Sequence, residues 1–347
     1  MGNFLGTGRF SLVAVVVLCI FPASLGSAQK SASPQTPPLR SATELVKLDA
    51  SVLDQSGKFV AGLTAHDFRV LDNGIEQPIA FFSPVQTPAQ ILVMLETSPA
   101  VYLIQNEHIT AAYALLDGLA PDDRVALATY DATPHGMLGF TEDKLALLAA
   151  LSRVQYTIGT GELNLYDSIS TVLGWLGSSA GKKALVLLST GLDSSPPSNW
   201  DVLVRKLRGE DIVIFPVALG GSLRGEPGRK SKPKEKASRV KGKQESESLP
   251  AGSEIFAKAD AALLSLASMT GGRAYFPKSA NDFVPIYREI AYTLGNEYVL
   301  GIQAAQDGQF HSVTVEVIGD IDKSAVPHAK TQAYRIFARA GYLAPKP

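Results

Sequence analysis

Cysteine is almost absent from this chain: Cys19 is alone among 347 residues. Because it sits in an apolar leader, the remainder can form no disulfide, thiol nucleophile or thiolate metal site, which fits an exported bacterial protein better than a disulfide-stapled animal one. Long apolar runs are missing too. The run SLVAVVVLCIF (11–21) is shorter than the ~20 residues a spanning helix needs. With Arg9 before it and Gly26-Ser27-Ala28 after it, the run reads as a secretory signal cleaved after Ala28, so that a mature chain with no transmembrane anchor begins at Gln29. An uncleaved anchor is the alternative, and a lipoprotein is disfavoured because Val17-Leu18 precedes Cys19 where a small residue is wanted. No sign of charge dominates. The formal net charge of -1 gives no basic footprint for nucleic acid. The five histidines (His66, His108, His135, His311, His328) show no ligand spacing and read as surface or turn residues.

What is present is globular: 46% hydrophobic and 19% charged residues, at a length that suggests about two domains. After a Pro/Ser-rich linker (29–41), residues 42–87 alternate with period two. In ELVKLDASVLD (44–54), Val46, Leu48, Ala50 and Val52 form one face, and 67–83 reads as a hairpin around Asp72-Asn73-Gly74. From residue 88 to 295 strands alternate with helices. Wholly apolar strands at 89–96, 183–190 and 211–220, with RVALATYD (124–131), GRAYFP (272–277) and an edge strand at 136–140, predict a mostly parallel sheet covered on both faces. The stretch 223–252 is charged and poor in apolar residues, and predicts a disordered excursion with solvated lysines rather than a polyanion site. Period two returns in EYVLGIQ (297–303), HSVTVEVIG (311–319) and AYRIFARAGYL (333–343). Neither β segment (42–87 or 296–343) has enough strands to stand alone, so the two are expected to pair around the α/β part.

Two strings that suggest enzymes fail on context. Gly177-Ser178-Ser179-Ala180-Gly181 matches a nucleophile elbow, but a helix precedes it and a strand follows, the reverse of what the elbow requires. Gly181-Lys182-Lys183 lacks both the upstream glycine and the following Ser/Thr of a P-loop.

The segment AQILVMLETSPA (89–100) is the most informative. A buried strand stops at Glu96-Thr97-Ser98, and loops past the carboxyl ends of such strands hold the ligand sites of open α/β sheets. The segment resembles the first strand of a von Willebrand factor type A (VWA) domain, whose Asp-x-Ser-x-Ser motif supplies metal-ligating oxygens at that place. The leader from Leu45 to Phe82, with Asn164-Leu165-Tyr166-Asp167, Met269-Thr270-Gly271-Gly272, Tyr298-Val299-Leu300-Gly301 and Arg339-Ala340-Gly341-Tyr342, is similar to phrases of the VWFA-related group typical of exported acidobacterial proteins. The resemblance implies a Rossmann-like α/β fold, with a sandwich-like region formed by the amino- and carboxyl-terminal strands.

It also implies a metal-ion-dependent adhesion site built from three loops, and this chain departs from it in each. Glu96 stands where the aspartate is expected, beside Ser98, and Ala100 replaces a serine. Leu163, next to Asn164, replaces a threonine, with Thr160 as a substitute oxygen. Thr190 replaces an aspartate, with Asp193 as a nearby carboxylate. Glu96, Ser98 and Asp193 are the weak metal candidates, and Mg²⁺, which needs near-octahedral oxygen geometry, is not expected to bind tightly. The sequence therefore reads as a secreted or periplasmic, non-enzymatic binder of a protein or cell-envelope partner, without a cofactor. A hydrolase with a loop-built site and a structural envelope component remain the alternatives.

Overall fold

The structure, a computed structural model, describes residues 44–85, 88–99, 105–156, 161–177, 181–220, 251–318 and 334–346. The expected leader, linker and charged excursion to residue 250, together with Ala100, Thr160 and His328, lie outside the described residues.

A five-stranded sheet has the order β7-β6-β5-β8-β9, built from β5 (Ala89–Glu96), β6 (Arg124–Tyr130), β7 (Pro134–Thr141), β8 (Lys182–Ser189) and β9 (Val213–Ala218). All pairings are parallel except that of the edge strand β7. The continuous apolar runs follow from burial on both faces. In β5, Ile91, Val93 and Leu95 pack with α1 (Gln105–Gly118), α2 (Lys144–Leu151) and α6 (Phe283–Gly295), while Leu92 and Met94 pack with α3 (Leu165–Gly177), α4 (Ser198–Gly209) and α5 (Ala251–Thr270). The chain leaves β5 towards one face and β8 towards the other. Their carboxyl ends therefore flank a crevice at the point where strand order reverses.

Two four-stranded antiparallel sheets complete the described residues. One has the order β12-β1-β10-β4, from β1 (Leu45–Leu53), β4 (Ile79–Val85), β10 (Glu297–Gln303) and β12 (Arg335–Ala338). The other has the order β13-β11-β2-β3, from β2 (Phe68–Asp72), β3 (Ile75–Gln77), β11 (Phe310–Val317) and β13 (Gly341–Leu343). Strands from both ends of the chain interleave, with β1 between β12 and β10 and β2 between β11 and β3. Leu48, Ala50, Phe68, Tyr298, Leu300 and Val313 fill the space between the sheets. The predicted hairpin turn is present, with Asn73 (φ 48°) and Gly74 (φ 80°) both in the left-handed region that a two-residue hairpin loop favours.

Two strand expectations need correction. GRAYFP forms no strand, only a single parallel bridge between Tyr275 and Val217. Tyr275 N–H donates to Pro216 O (2.8 Å) and its carbonyl accepts from Ala218 N–H (2.8 Å). The next ladder bonds on either side would need N–H donors at Pro216 and Pro277, which proline lacks. The run 333–343 is likewise two strands in two sheets. It changes sheet at Arg339-Ala340, where Ala340 N–H donates to Met269 O and a Cβ on Gly271 would stand 2.7 Å from Arg339 N. Two of the short phrases from the sequence thus meet at one seam, and glycine is needed there because backbone occupies the space of a side chain.

Candidate functional site

Glu96 ends β5 in the crevice, with 0% of its surface exposed. Such a carboxylate must be paired or richly hydrogen-bonded. Here hydroxyls and one amide do the work. Oε1 accepts from Ser98 Oγ (2.6 Å) and Thr190 Oγ1 (3.0 Å), and Oε2 accepts from Thr190 N–H (2.7 Å). Tyr130 OH and Ser189 Oγ lie 3.0 and 3.2 Å from Oε2 and 2.6 Å from each other, so one donates its hydrogen bond to the other and the other donates to Glu96. Burial, reinforced by the Glu96 charge, pushes the Tyr130 phenol well above its ordinary range and keeps it a donor. The methylene by which Glu exceeds Asp carries the carboxylate across to β8 and β6.

The remaining sequence-predicted residues form a second cluster beside the first. Asp193 does not point at Glu96. Its Oδ1 accepts from Tyr166 N–H (3.1 Å), so the β8–α4 loop caps the first turn of α3, as a local N-cap residue would. Burial raises the Asp193 carboxyl above the usual carboxylate range. Leu163 contributes backbone: its N–H donates to Ser194 Oγ (3.2 Å) and its carbonyl accepts from Ser194 N–H (2.6 Å). Asn164 ties the same loop to the end of β6, donating from its backbone to Asp131 O (2.9 Å) and from Nδ2 to Ala132 O (2.9 Å). Three acceptor oxygens, from Asp193 (3.2 Å), Asn164 (3.4 Å) and Asp167 (3.4 Å), converge on the single hydroxyl of Ser195.

The structure thus brings together Glu96, Ser98 and Thr190 in one cluster and Leu163, Asn164 and Asp193 in the other. Tyr130 and Ser195 went unrecognised in the sequence. A polar tip at the carboxyl end of a buried strand next to β5 was the available signal for Tyr130.

At the described positions where the resemblance places metal-ligating oxygens, the side chains are engaged with protein partners. Thr190 donates to Glu96 instead of supplying a second carboxylate, Asp193 is engaged at a helix start, and both Glu96 oxygens are taken by protein donors. Among the described residues no group of three or more His, Cys, Asp or Glu side chains is placed to hold a metal ion. What the top face offers outward is an open groove of about 430 Å³ beside Asp193, lined by Tyr166, Leu192, Pro197, Trp200, Ile255 and Lys258. Tyr166 and Trp200 meet edge-on at 5.0 Å, and Ile255 is 55% exposed.

No protein-family model and no curated protein matches the chain. Among solved structures it is similar to a von Willebrand factor type A protein from Catenulispora acidiphila (10% identity, 87% of this chain and 75% of that one, TM-score 0.43). It is also similar to the conserved hypothetical protein BatB from Bacteroides thetaiotaomicron (13%, 59% and 98%, 0.39) and to proximal thread matrix protein 1 from the mussel byssus (14%, 64% and 49%, 0.42). At these scores the likenesses carry no argument about activity. The strand order itself, with β5 central, β7 antiparallel at the edge and helices on both faces, gives the α/β part a Rossmann-like layout with a mostly parallel sheet.

Proposed function

We propose that this chain is an exported, non-enzymatic interaction module that holds a protein or cell-envelope partner on its top-face loops without a metal ion. The observation that carries this reading is the saturated Glu96 carboxylate: donors from β6, from β8 and from the loops after β5 and β8 occupy the oxygens that a cation would need. The groove beside Asp193, with Trp200, Tyr166 and Ile255, is then the apolar contact surface on that face. Aromatic anchors of this kind commonly dominate binding energy at protein interfaces. The non-enzymatic reading is supported by the full burial of the carboxylate among hydroxyl donors, which keeps substrate from it. Export is supported by the apolar leader, and no helix among the described residues is long and apolar enough to cross a membrane.

Melting curves test the metal half of the proposal. A cation that binds the native state stabilises it by RT ln(1 + [L]/Kd), so a tight site cannot hide in millimolar Mg²⁺. The unmodified protein is expected to show no shift with Mg²⁺ or EDTA. The fourfold variant Glu96→Asp, Ala100→Ser, Leu163→Thr and Thr190→Asp is expected to gain a Mg²⁺-dependent shift, because it returns both carboxylates and both hydroxyls. Photo-crosslinking in the native envelope tests the surface. A crosslinker at Ile255 or Trp200 should capture a saturable partner in the presence of EDTA, while one at Leu145, 71% exposed on the opposite face, should not. A Mg²⁺ shift in the unmodified protein would overturn metal independence. Capture from Leu145 but from neither groove position would overturn the assigned surface.

A further inference from the structure

β13 is an edge strand held to β11 by a three-residue ladder, Phe310–Leu343, His311–Tyr342 and Ser312–Gly341. A ladder that short is marginal in water, so other contacts must fasten it. Backbone bonds continue it on both sides, from Val313 N–H to Ala340 O (2.9 Å), Ala344 N–H to Gln309 O (2.8 Å) and Gly308 N–H to Pro345 O (3.0 Å), and the side-chain contacts centre on His311, whose side chain is 12% exposed. Its Nδ1 lies 2.6 Å from Asp72 Oδ1 on β2, and its Nε2 lies 3.1 Å from Asp307 Oδ2 in the β10–β11 loop. The ring stacks on Tyr342 of β13 with centroids 5.3 Å apart. The Tyr342 hydroxyl donates to the other oxygen of Asp72 (2.7 Å) and accepts from Ala305 N–H (3.1 Å). One imidazole and one carboxylate therefore join β2, β11, β13 and the β10–β11 loop.

The proton count at this ring is decisive. A neutral imidazole has one N–H and one lone pair, and here both nitrogens face carboxylate oxygens, with Asn73 Nδ2 a longer contact of 3.2 Å at Nδ1. Either neutral tautomer turns a lone pair on an anion, and only the imidazolium donates in both directions. We propose that His311 is a proton-operated clasp that, when charged, pins β13 and the β10–β11 loop to β2 and, when neutral, lets β13 lift from the edge of β11. An uncovered edge is a template for an added strand, so release would open a second contact surface away from the top-face groove.

The titratable groups facing the ring are Asp72 from β2, Asp307 from the β10–β11 loop and Tyr342 from β13. The hydrogen bond to Asp72 is the largest influence and burial opposes it; with Asp307 the outcome is a His311 pKa raised above the ordinary value. Tyr342 is pushed up to about 12, chiefly by burial, and stays a donor throughout. Because the folded state favours the charged ring, the clasp contributes fully below the pKa of a free imidazole. Its contribution is lost as pH rises through the folded value, so the clasp opens in the alkaline direction.

The test combines an imidazole nitrogen titration by NMR with hydrogen exchange of the 340–346 peptide in the full chain, normalised to the β8 peptide to remove the intrinsic pH dependence of exchange. The His311 midpoint is expected above about 6.5. Protection of 340–346 relative to β8 is expected to fall by roughly tenfold for each unit by which that midpoint is raised, between about pH 6 and about pH 9. Asp307→Asn, a substitution at an exposed position, should lower the midpoint and shift the opening to lower pH, and His311→Gln should abolish the pH dependence. A midpoint at or below about 6.5 would overturn the clasp, as would protection of 340–346 that follows β8 at both pH values. Because Asp307→Asn leaves the ring in place, an unmoved midpoint in that variant would also overturn it, even if His311→Gln failed to fold.

Discussion

Lys182→Met is expected to cost about 3–5 kcal/mol of folding stability, among the largest losses from any single substitution in this chain. Lys182 begins β8 and Glu297 begins β10. The two side chains are 2% and 5% exposed and form an ion pair where the parallel sheet meets the β10 sheet, and Lys182 also donates to Leu294 O (3.1 Å). Removing the cation strands a carboxylate that water cannot reach. Burial already raises the Glu297 carboxyl above its ordinary value, with Lys182 opposing that rise and nearby Asp49 adding to it.

The variant's deficit should therefore depend on pH with a definite sign. A carboxyl whose folded pKa is raised destabilises the native state once ionised, so the loss should be greatest at neutral pH. It should shrink as pH falls through the folded value, where a neutral carboxyl needs no cation. Adding Glu297→Leu to Lys182→Met should recover most of the loss, since replacing both members of a buried pair with apolar side chains is often neutral. Urea unfolding at neutral and acidic pH measures both effects. A single variant within about 1 kcal/mol of the unmodified protein, or a double variant as unstable as the single, would show that the pair does not hold this seam.

Substitution of Glu96 should be comparably severe, for the opposite electrostatic reason. Its carboxylate is held by donors rather than by a cation, so Glu96→Ala leaves Thr190 N–H, the Ser98 and Thr190 hydroxyls and one hydroxyl of the Tyr130–Ser189 pair without their acceptor in a closed space. One orphaned buried donor costs about 1–3 kcal/mol, and several together with the cavity should bring the loss to about 4 kcal/mol or more. Glu96→Gln keeps the volume but turns an NH₂ towards one set of donors, so its loss should be smaller, about 1–3 kcal/mol. Glu96→Asp alone, without Mg²⁺, should also destabilise, because the shorter side chain pulls the carboxylate back from Thr190. If Glu96→Asp were as stable as the unmodified protein, the added methylene would have no role in spanning the crevice. Guanidinium unfolding of the three variants decides the order.

Much of the fold was legible because its signals are local. Leu92 and Val93 point to opposite faces yet are both apolar, which already says that β5 is covered on both sides. Asn73-Gly74 announces its own turn by the dihedral angles those residues tolerate. The failures have local causes of a subtler kind. GRAYFP carries strand-forming residues, but whether it pairs depends on its own Pro277 and on Pro216 in another strand, neither of which has an N–H to donate.

The loop positions of the candidate site were legible in the same way, since Glu96 and Thr190 each end an apolar run and parallel sheets place such ends at one edge. Their chemistry was not. Glu96 meets Tyr130 and Thr190 across 34 and 94 residues of chain, and no period or spacing encodes a donor that far away. Asp193 reads as a spare carboxylate in the sequence and becomes a helix cap only because the β8–α4 loop folds over the start of α3. His311 reads as a turn histidine, and its two carboxylates come from different strands and loops. By itself, the sequence determined most of the elements, their burial and the edge of the sheet at which Glu96 and Thr190 lie, because side-chain period and backbone preference act over a few residues. Only the tertiary structure decided which buried charges are paired by a cation, by hydroxyls or by a proton, because those pairings depend on where distant strands lie side by side.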